Sequence, residues 1–221
     1  VSGRLNNGLG IAVFNGITAA QTGKAIDSET NTERDFTISP LSNYNVLVLD
    51  QNLKNNSFLT FTNTNVWRSG DFYDANVSGL KASFNTKNND YYISGQGVLS
   101  AILESTETSL GHTWGIETGK QRGDFTFRAE YYEESDTYDP NDLGFLRANN
   151  SRVAEANIGY RNFKPNFWNL NKFQSNFSVN YERLYAPNLF GGAFWNGRAV
   201  MVSKSFNAWG INFNGALMEN N

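Results

Sequence analysis

Residues 123–150 read GDFTFRAEYYEESDTYDPNDLGFLRANN. In the first half Phe125, Phe127, Ala129 and Tyr131 alternate with Thr126, Arg128, Glu130 and Tyr132. Side chains of a strand point to opposite faces with a period of two, so this stretch is a ribbon with one apolar and one wet face. The second half is a polar connection whose Pro140, Asn141, Asp142 and Gly144 are turn formers. Strand, connection, strand of this kind recurs along the whole chain, and that repetition decides the fold class.

Working outward, the same alternation appears at Leu9–Ile17 and around Leu80–Phe84, while Tyr44–Gln51 is a strand apolar on both faces for part of its length and Ser57–Arg68 returns from it. The alternation's longest run is Tyr91, Ile93, Gly95, Gly97, Leu99, Ala101 and Leu103. It continues through Leu110–Ile116, Ala154–Tyr160, Phe173–Glu182, Ala193–Lys204 and Trp209–Leu217. Residues 19–43 hold too few apolar side chains to pack and read as an exposed loop; residues 162–172, with Pro165 and three aromatics, read as a connection. All four prolines (Pro40, Pro140, Pro165, Pro187) fall between strands, where no ladder N–H is lost. No stretch carries a 3.6-residue stripe over three turns. The pattern predicts an all-β chain of about eleven strands joined as hairpins.

Composition narrows the class. A net charge of −3 without a basic stripe argues against a nucleic-acid partner. The chain has no cysteine, which removes disulfides, thiolate metal sites and cysteine nucleophiles. Aromatics make up 14% of the residues, yet the mean hydropathy is negative. Lipid-facing and lumen-facing residues that alternate along a membrane barrel cancel in this way. No apolar run approaches the roughly 20 residues of a membrane-spanning helix.

The connections sort by side. Those near 53–56, 86–89, 120–123 and 205–207 are tight, whereas those near 19–43, 135–151 and 185–192 are longer; connection 164–171 breaks the pattern, and 69–72 and 104–107 are short for the long side. Such asymmetry belongs to outer-membrane barrels. The expectation is an antiparallel transmembrane β-barrel of up-and-down hairpins over residues 1–221, in a bacterial outer membrane. Eleven strands is an odd count for such a barrel, and open edges are not tolerated in hydrocarbon. The polar close Leu217-Met218-Glu219-Asn220-Asn221 lacks a terminal aromatic, and the stretch that opens at Val1 does not read as a signal peptide. Both features lead us to expect a section of a larger barrel whose natural chain starts earlier.

Several stretches carry a family resemblance: GLGIAVFNGITA, PLSNYNVLVLDQNLKNNS, TNTNVWRSGDFYDANVSG and, most specifically, YDPNDLGFLRANN. They resemble large Bacteroidota proteins that carry a carbohydrate-binding family 9 domain. In that family a β-sandwich module precedes a long C-terminal domain of unknown function thought to be a β-barrel. The resemblance covers most of residues 3–150 and is one of texture beyond them. It implies an outer-membrane location and an upstream sugar-binding module outside this chain, and it carries over no catalytic residue.

Candidate sites are few. Asp136, Asp139 and Asp142, after Glu133 and Glu134, gather oxygen ligands that calcium would accept, but the spacing is not that of an EF-hand and a solvated acidic loop is the simpler reading. His112, the single histidine, shares a face with Leu110, Trp114 and Ile116 and reads as half-buried or interfacial. Glu130 and Glu182 fall on a wet face and could form a glycosidase pair; lumen-facing charges are the plainer reading. Phe167-Trp168 and Phe194-Trp195 could stack on sugar rings, although aromatics near strand ends are also what interfacial girdles require. Asn-x-Ser sequences at Asn55, Asn76, Asn149 and Asn176 read as ordinary turns and wet strand faces. No cofactor and no enzymatic activity are expected. The functional expectation is a structural or transport role linked to surface glycans, with membrane lipid, glycans or other outer-membrane proteins as partners. The alternative is a soluble or surface β-sandwich that binds polysaccharide.

Overall fold

The computed structural model describes residues 1–165 and 167–219. Fourteen strands and no helix are found among them. They are β1 (Ser2–Arg4), β2 (Leu9–Thr18), β3 (Gln21–Ile26), β4 (Glu33–Ser39), β5 (Ser42–Asn52), β6 (Phe58–Arg68) and β7 (Asp74–Asn85). The second half holds β8 (Tyr91–Leu103), β9 (Thr108–Lys120), β10 (Phe125–Glu134), β11 (Ser151–Asn162), β12 (Leu170–Arg183), β13 (Phe190–Ser203) and β14 (Ala208–Met218).

Twelve strands form one sheet in the order β1-β2-β5-β6-β7-β8-β9-β10-β11-β12-β13-β14, every pair antiparallel. This is the hairpin-by-hairpin order the alternation predicts. It differs from the expected barrel in one respect: among the described residues β1 and β14 do not pair, so the sheet has two edges and no closed barrel is seen. The eleven strands read from the pattern are β2 and β5 to β14. The twelfth, β1, is three residues long, too short for alternation to register, and it pairs Gly3 with Ile11.

Residues 19–43 hold a second difference. Instead of a loop they contain the β3–β4 hairpin, whose strands contact no other strand. Its turn is held by the Asp27 carboxylate, which accepts from the N–H groups of Glu29 (2.9 Å) and Thr30 (3.1 Å). The exposure expected of this segment is what the hairpin shows, strand by strand. Residues 163–169 are the expected connection, of which Asn166 lies outside the described residues, and β12 begins at Leu170. Asn220 and Asn221, part of the polar close, lie outside them as well.

Tight turns carry the residues that left-handed backbone favours: Asn55, Asn56 and Asn89 have φ of 59°, 57° and 56°. The four prolines all sit outside strands.

Register fixes the faces. One row across the sheet runs Leu49, Phe61, Leu80, Gly97 and Trp114. Another runs Phe127, Ile158, Phe177, Gly197 and Phe213. Both lie on one continuous apolar face. The opposite face carries Thr60, Lys81, Gln96, Glu117, Arg128, Glu155 and Asn180. Only four apolar residues are buried among those described: Val66, Ala75, Tyr138 and Leu170. The accessible surface is 14775 Å², against about 10,000 Å² for a compact monomer of this mass. The fold therefore has no enclosed hydrophobic core.

Candidate functional site

The polar face is occupied at one end by residues 135–150, which fold back across it instead of leaving into solvent. Their path follows from the residues. Ser135 donates its N–H to the His112 carbonyl (2.9 Å), and the Thr137 hydroxyl donates to the Leu110 carbonyl (2.7 Å). Between those anchors the chain passes over Gly111, where a Cβ would stand 2.3 Å from Tyr138 Cα and 2.4 Å from the Thr137 carbonyl oxygen. Only a residue without a side chain fits beneath it. Asp139 then donates its N–H to Ser100 Oγ on β8 (3.1 Å).

The far end is pinned on β6. Arg68, at the polar-face end of that strand, makes an ion pair with Asp142, and both side chains are largely buried. The same guanidinium donates to the Tyr73 carbonyl (2.9 Å) and lies over the Tyr73 ring, 4.3 Å from its centre. The Tyr73 hydroxyl donates to Asp142 (3.3 Å). The segment thus leaves β10 and reaches β6, four strands away in the sheet. Burial, and then the Asp142 carboxylate, raises the Tyr73 phenol above its ordinary 10.0. Burial, and then Glu134, does the same for Tyr138.

The motif that looked most specific in the sequence is the internal frame of this segment. Asp139 accepts from the Asn141 N–H (2.9 Å), and Asn141 Oδ1 accepts from the Leu146 N–H (2.7 Å). A Cβ on Gly144 would stand 2.7 Å from the Pro140 carbonyl oxygen. The Asn149 amide donates to the carbonyls of Asp136 (2.7 Å) and Tyr138 (3.0 Å), and Asn150 clamps Ala186 in both directions (2.8 and 2.7 Å). The Asp139 and Asp142 carboxylates are therefore in use as a turn cap and an ion-pair partner, while Asp136 contributes its main-chain carbonyl to the frame. Among the described residues no group of three or more acidic or histidine side chains is placed to hold a metal ion.

Toward the tight turns the polar face carries a charge cluster centred on Arg128. Its guanidinium meets Glu117 at 2.8 Å, Glu130 at 2.5 Å and Glu155 at 3.6 Å, and the Tyr92 hydroxyl donates to Glu117. Glu130 lies directly opposite Glu117 on one side and Glu155 on the other. An open cavity of about 390 Å³ adjoins the cluster, lined by Thr126, Arg128, Asn157, Arg161 and Asn176 among others. Lys81, Lys120 and Arg161 stand around the cluster beside Asp124, so positive and negative side chains are close to balance, a polar, hydrated surface suited to hydroxyl-rich solutes.

Glu182 does not join this cluster. It sits opposite Val153, which in turn faces Tyr132, so Glu130 and Glu182 are two strands and two residues apart. At about 4.8 Å per strand and 3.3 Å per residue their backbones are on the order of 10 Å apart, and Glu130 is held by Arg128.

The candidate aromatics separate too. Phe194 and Trp195 are neighbours in β13 and point to opposite faces, so they cannot form one platform. Phe167 and Trp168 lie in the 163–169 connection with rings edge to face at 5.4 Å, Trp168 being mostly exposed. His112 is on the apolar face, 3.5 Å from Glu133 and edge to face with Tyr185 at 5.5 Å. Glu133 also accepts from Arg152 (2.7 Å), Tyr131 (2.9 Å) and Trp114 (3.2 Å), so its charge is fully engaged.

Sequence reasoning missed Arg68, Ser100 and Gly111. Nothing local marks them, since their partners lie 74, 39 and 27 residues away. The family described as a domain of unknown function (DUF5916) matches residues 1–221, and the chain belongs to it. No curated protein and no solved structure matches the chain.

Proposed function

We propose that this member of the DUF5916 family forms the wall of a transmembrane β-barrel in a bacterial outer membrane, with a structural or transport role. The observation that carries the reading is the inverted distribution of apolar side chains. They cover one face of a twelve-stranded antiparallel sheet and are exposed there, whereas the opposite face is polar, charged and partly covered by residues 135–150. In water such a face would cost about 25 cal/mol per Å² of apolar surface left wet; in hydrocarbon it is the ordinary exterior of a barrel. Strands of ten to fourteen residues from β2 and β5 onward suit a bilayer crossing. Aromatic residues near both ends of the apolar face (Trp67 and Tyr181 toward the long connections, Phe84, Phe125 and Trp209 toward the tight turns) suit the two interfaces.

On this reading the polar face lines a hydrated lumen. Residues 135–150 narrow it at the end with the longer connections, and the Arg128 cluster with its neighbouring charges lines it. The edges β1 and β14 would be closed by further strands, because unpaired backbone is not tolerated in lipid. The link to surface glycans, a Bacteroidota source and an upstream carbohydrate-binding module rest on the sequence resemblance. Membrane lipid is the first partner, with glycans and other outer-membrane proteins beyond it.

Fractionation of the producing cells tests the proposal. The protein should partition with the outer membrane, need detergent for extraction, and migrate differently on gels before and after boiling. A monodisperse protein purified without detergent would overturn it.

A further inference from the structure

The apolar face carries a compact, uncharged polar mat, separate from the charged group of His112, Glu133 and Arg152 on β9 to β11. On β2, β5, β6 and β7 the register aligns Asn15, Asn45, Asn65 and Asn76 in one row. In the next row toward the tight turns Asn63 lies opposite Ser78. The amides are joined across strands: Asn15 donates to Asn43 (2.6 Å) and Asn45 (2.7 Å), and Asn63 donates to Asn76 (3.1 Å) and Ser78 (2.8 Å). Asn65 Oδ1, in the middle of the mat, has no hydrogen-bond partner in the protein. The mat carries no formal charge, and Trp67, 57% exposed, stands beside it opposite Asn43.

The mat is local. Along the same rows β8 and β9 place Ala101 with Leu110, and Leu99 with His112. Polar side chains turned toward hydrocarbon are costly unless something polar covers them. Next to the mat, one row further toward the tight turns, lies an apolar groove of about 410 Å³ floored by Gly97 and walled by Phe61, Leu80, Leu99 and Trp114. A Cβ at Gly97 would meet nothing within 4 Å, so the floor is open. Ser78 belongs to both mat and groove.

From this juxtaposition we infer that the outer face of β2 and β5 to β9 binds a glycolipid of the surrounding leaflet. Its uncharged, hydroxyl-rich headgroup lies on the amides beside Trp67, and an acyl chain lies in the Gly97 groove. Amides offer donors and acceptors in the proportion sugar hydroxyls need, an exposed indole stacks on a sugar ring, and the missing charge disfavours phosphate headgroups. The mat lies toward the long connections and the groove toward mid-strand, the orientation of a lipid with its headgroup at that rim. The inference rests on the barrel reading above.

Native mass spectrometry of the detergent-extracted protein tests it, with diglucosyl diacylglycerol, phosphatidylglycerol and diacylglycerol of matched chains added to the micelles. The expected result is a glycolipid adduct that outlasts the other two. Asn63→Leu with Asn65→Leu should weaken it about tenfold, the equivalent of one or two lost hydrogen bonds. Gly97→Leu should remove lipid retention by filling the groove, and Trp67→Ala, on the exposed rim, gives a variant whose folding is not at issue. Equal retention of phosphatidylglycerol and glycolipid, or no effect of the asparagine and tryptophan substitutions, would overturn the assignment. So would a dimer abolished by the same substitutions, which would give the mat to a second copy. If the protein inserts into bilayers yet shows no glycolipid preference, only this inference fails. If it needs no detergent, the barrel reading fails with it.

Discussion

Two long connections leave the same end of the sheet and meet opposite fates. Residues 19–41 form a hairpin that stands clear of every other strand, whereas residues 135–150 fold inward over five strands' width and bury Tyr138 and Glu134. Both are polar and both contain acidic residues. The difference lies in the surface offered to them. The inward segment has a glycine to pass over at Gly111, a hydroxyl at Ser100 and a buried cation at Arg68. The hairpin has only itself: a capped turn at Asp27 and an exposed Lys24–Glu33 pair at 2.9 Å.

Removing Arg68 should break the contrast most strongly. Arg68→Ala leaves Asp142 a largely buried carboxylate without its partner, a loss of about 3 kcal/mol for such pairs. Cleavage of residues 135–150 by added protease should rise to that of the β3–β4 hairpin, and Asp142→Asn in the same chain should restore part of the protection. Gly111→Ala comes next, at about 1–3 kcal/mol, because the added methyl meets backbone that cannot move aside cheaply. Hydrogen exchange should show its effect over residues 135–142 and none over residues 21–39.

A pH series sharpens the comparison further. Tyr73 and Tyr138 both have raised phenol values in the folded chain, so folding favours their neutral forms. Their contribution is complete below the unfolded value near 10.0 and is lost as pH climbs through the higher folded values. Protection of residues 135–150 should hold from pH 7 to 9 and fall above 10, and Tyr73→Phe with Tyr138→Phe should flatten that fall. Smallest is Lys24→Ala, whose partner is equally exposed; such pairs contribute little, and thermal unfolding should be unchanged.

How far the sequence disclosed this architecture depends on the range of each interaction. Alternation is a local property, so β2 and β5 to β14 were legible, as were the asparagine turns and the proline-free strands. The β3–β4 hairpin was not, because polar strands without a buried face leave no period to read. Nor was β1, at three residues. The faces of Phe194 and Trp195 follow from adjacency alone and argue against a joint platform. The Arg128 cluster and the asparagine mat needed register, since each is assembled from neighbouring strands whose relative offset no single strand encodes. Residues 139–150 stood out as a motif because so many of them carry a fixed hydrogen bond or a close approach, while Arg68 and Gly111, which receive the segment, look like any strand residue.

The central claim is that one face of the sheet meets lipid and the other meets water. The chain has no cysteine, so single cysteines can be placed along β8 without background. Gln96→Cys, Gly97→Cys, Val98→Cys and Leu99→Cys, each carrying a small fluorophore in reconstituted vesicles, would be exposed in turn to a lipid-borne nitroxide and to aqueous iodide. Lipid quenching at 97 and 99 with iodide quenching at 96 and 98 is the predicted alternation. Iodide quenching of equal strength at all four positions would contradict it.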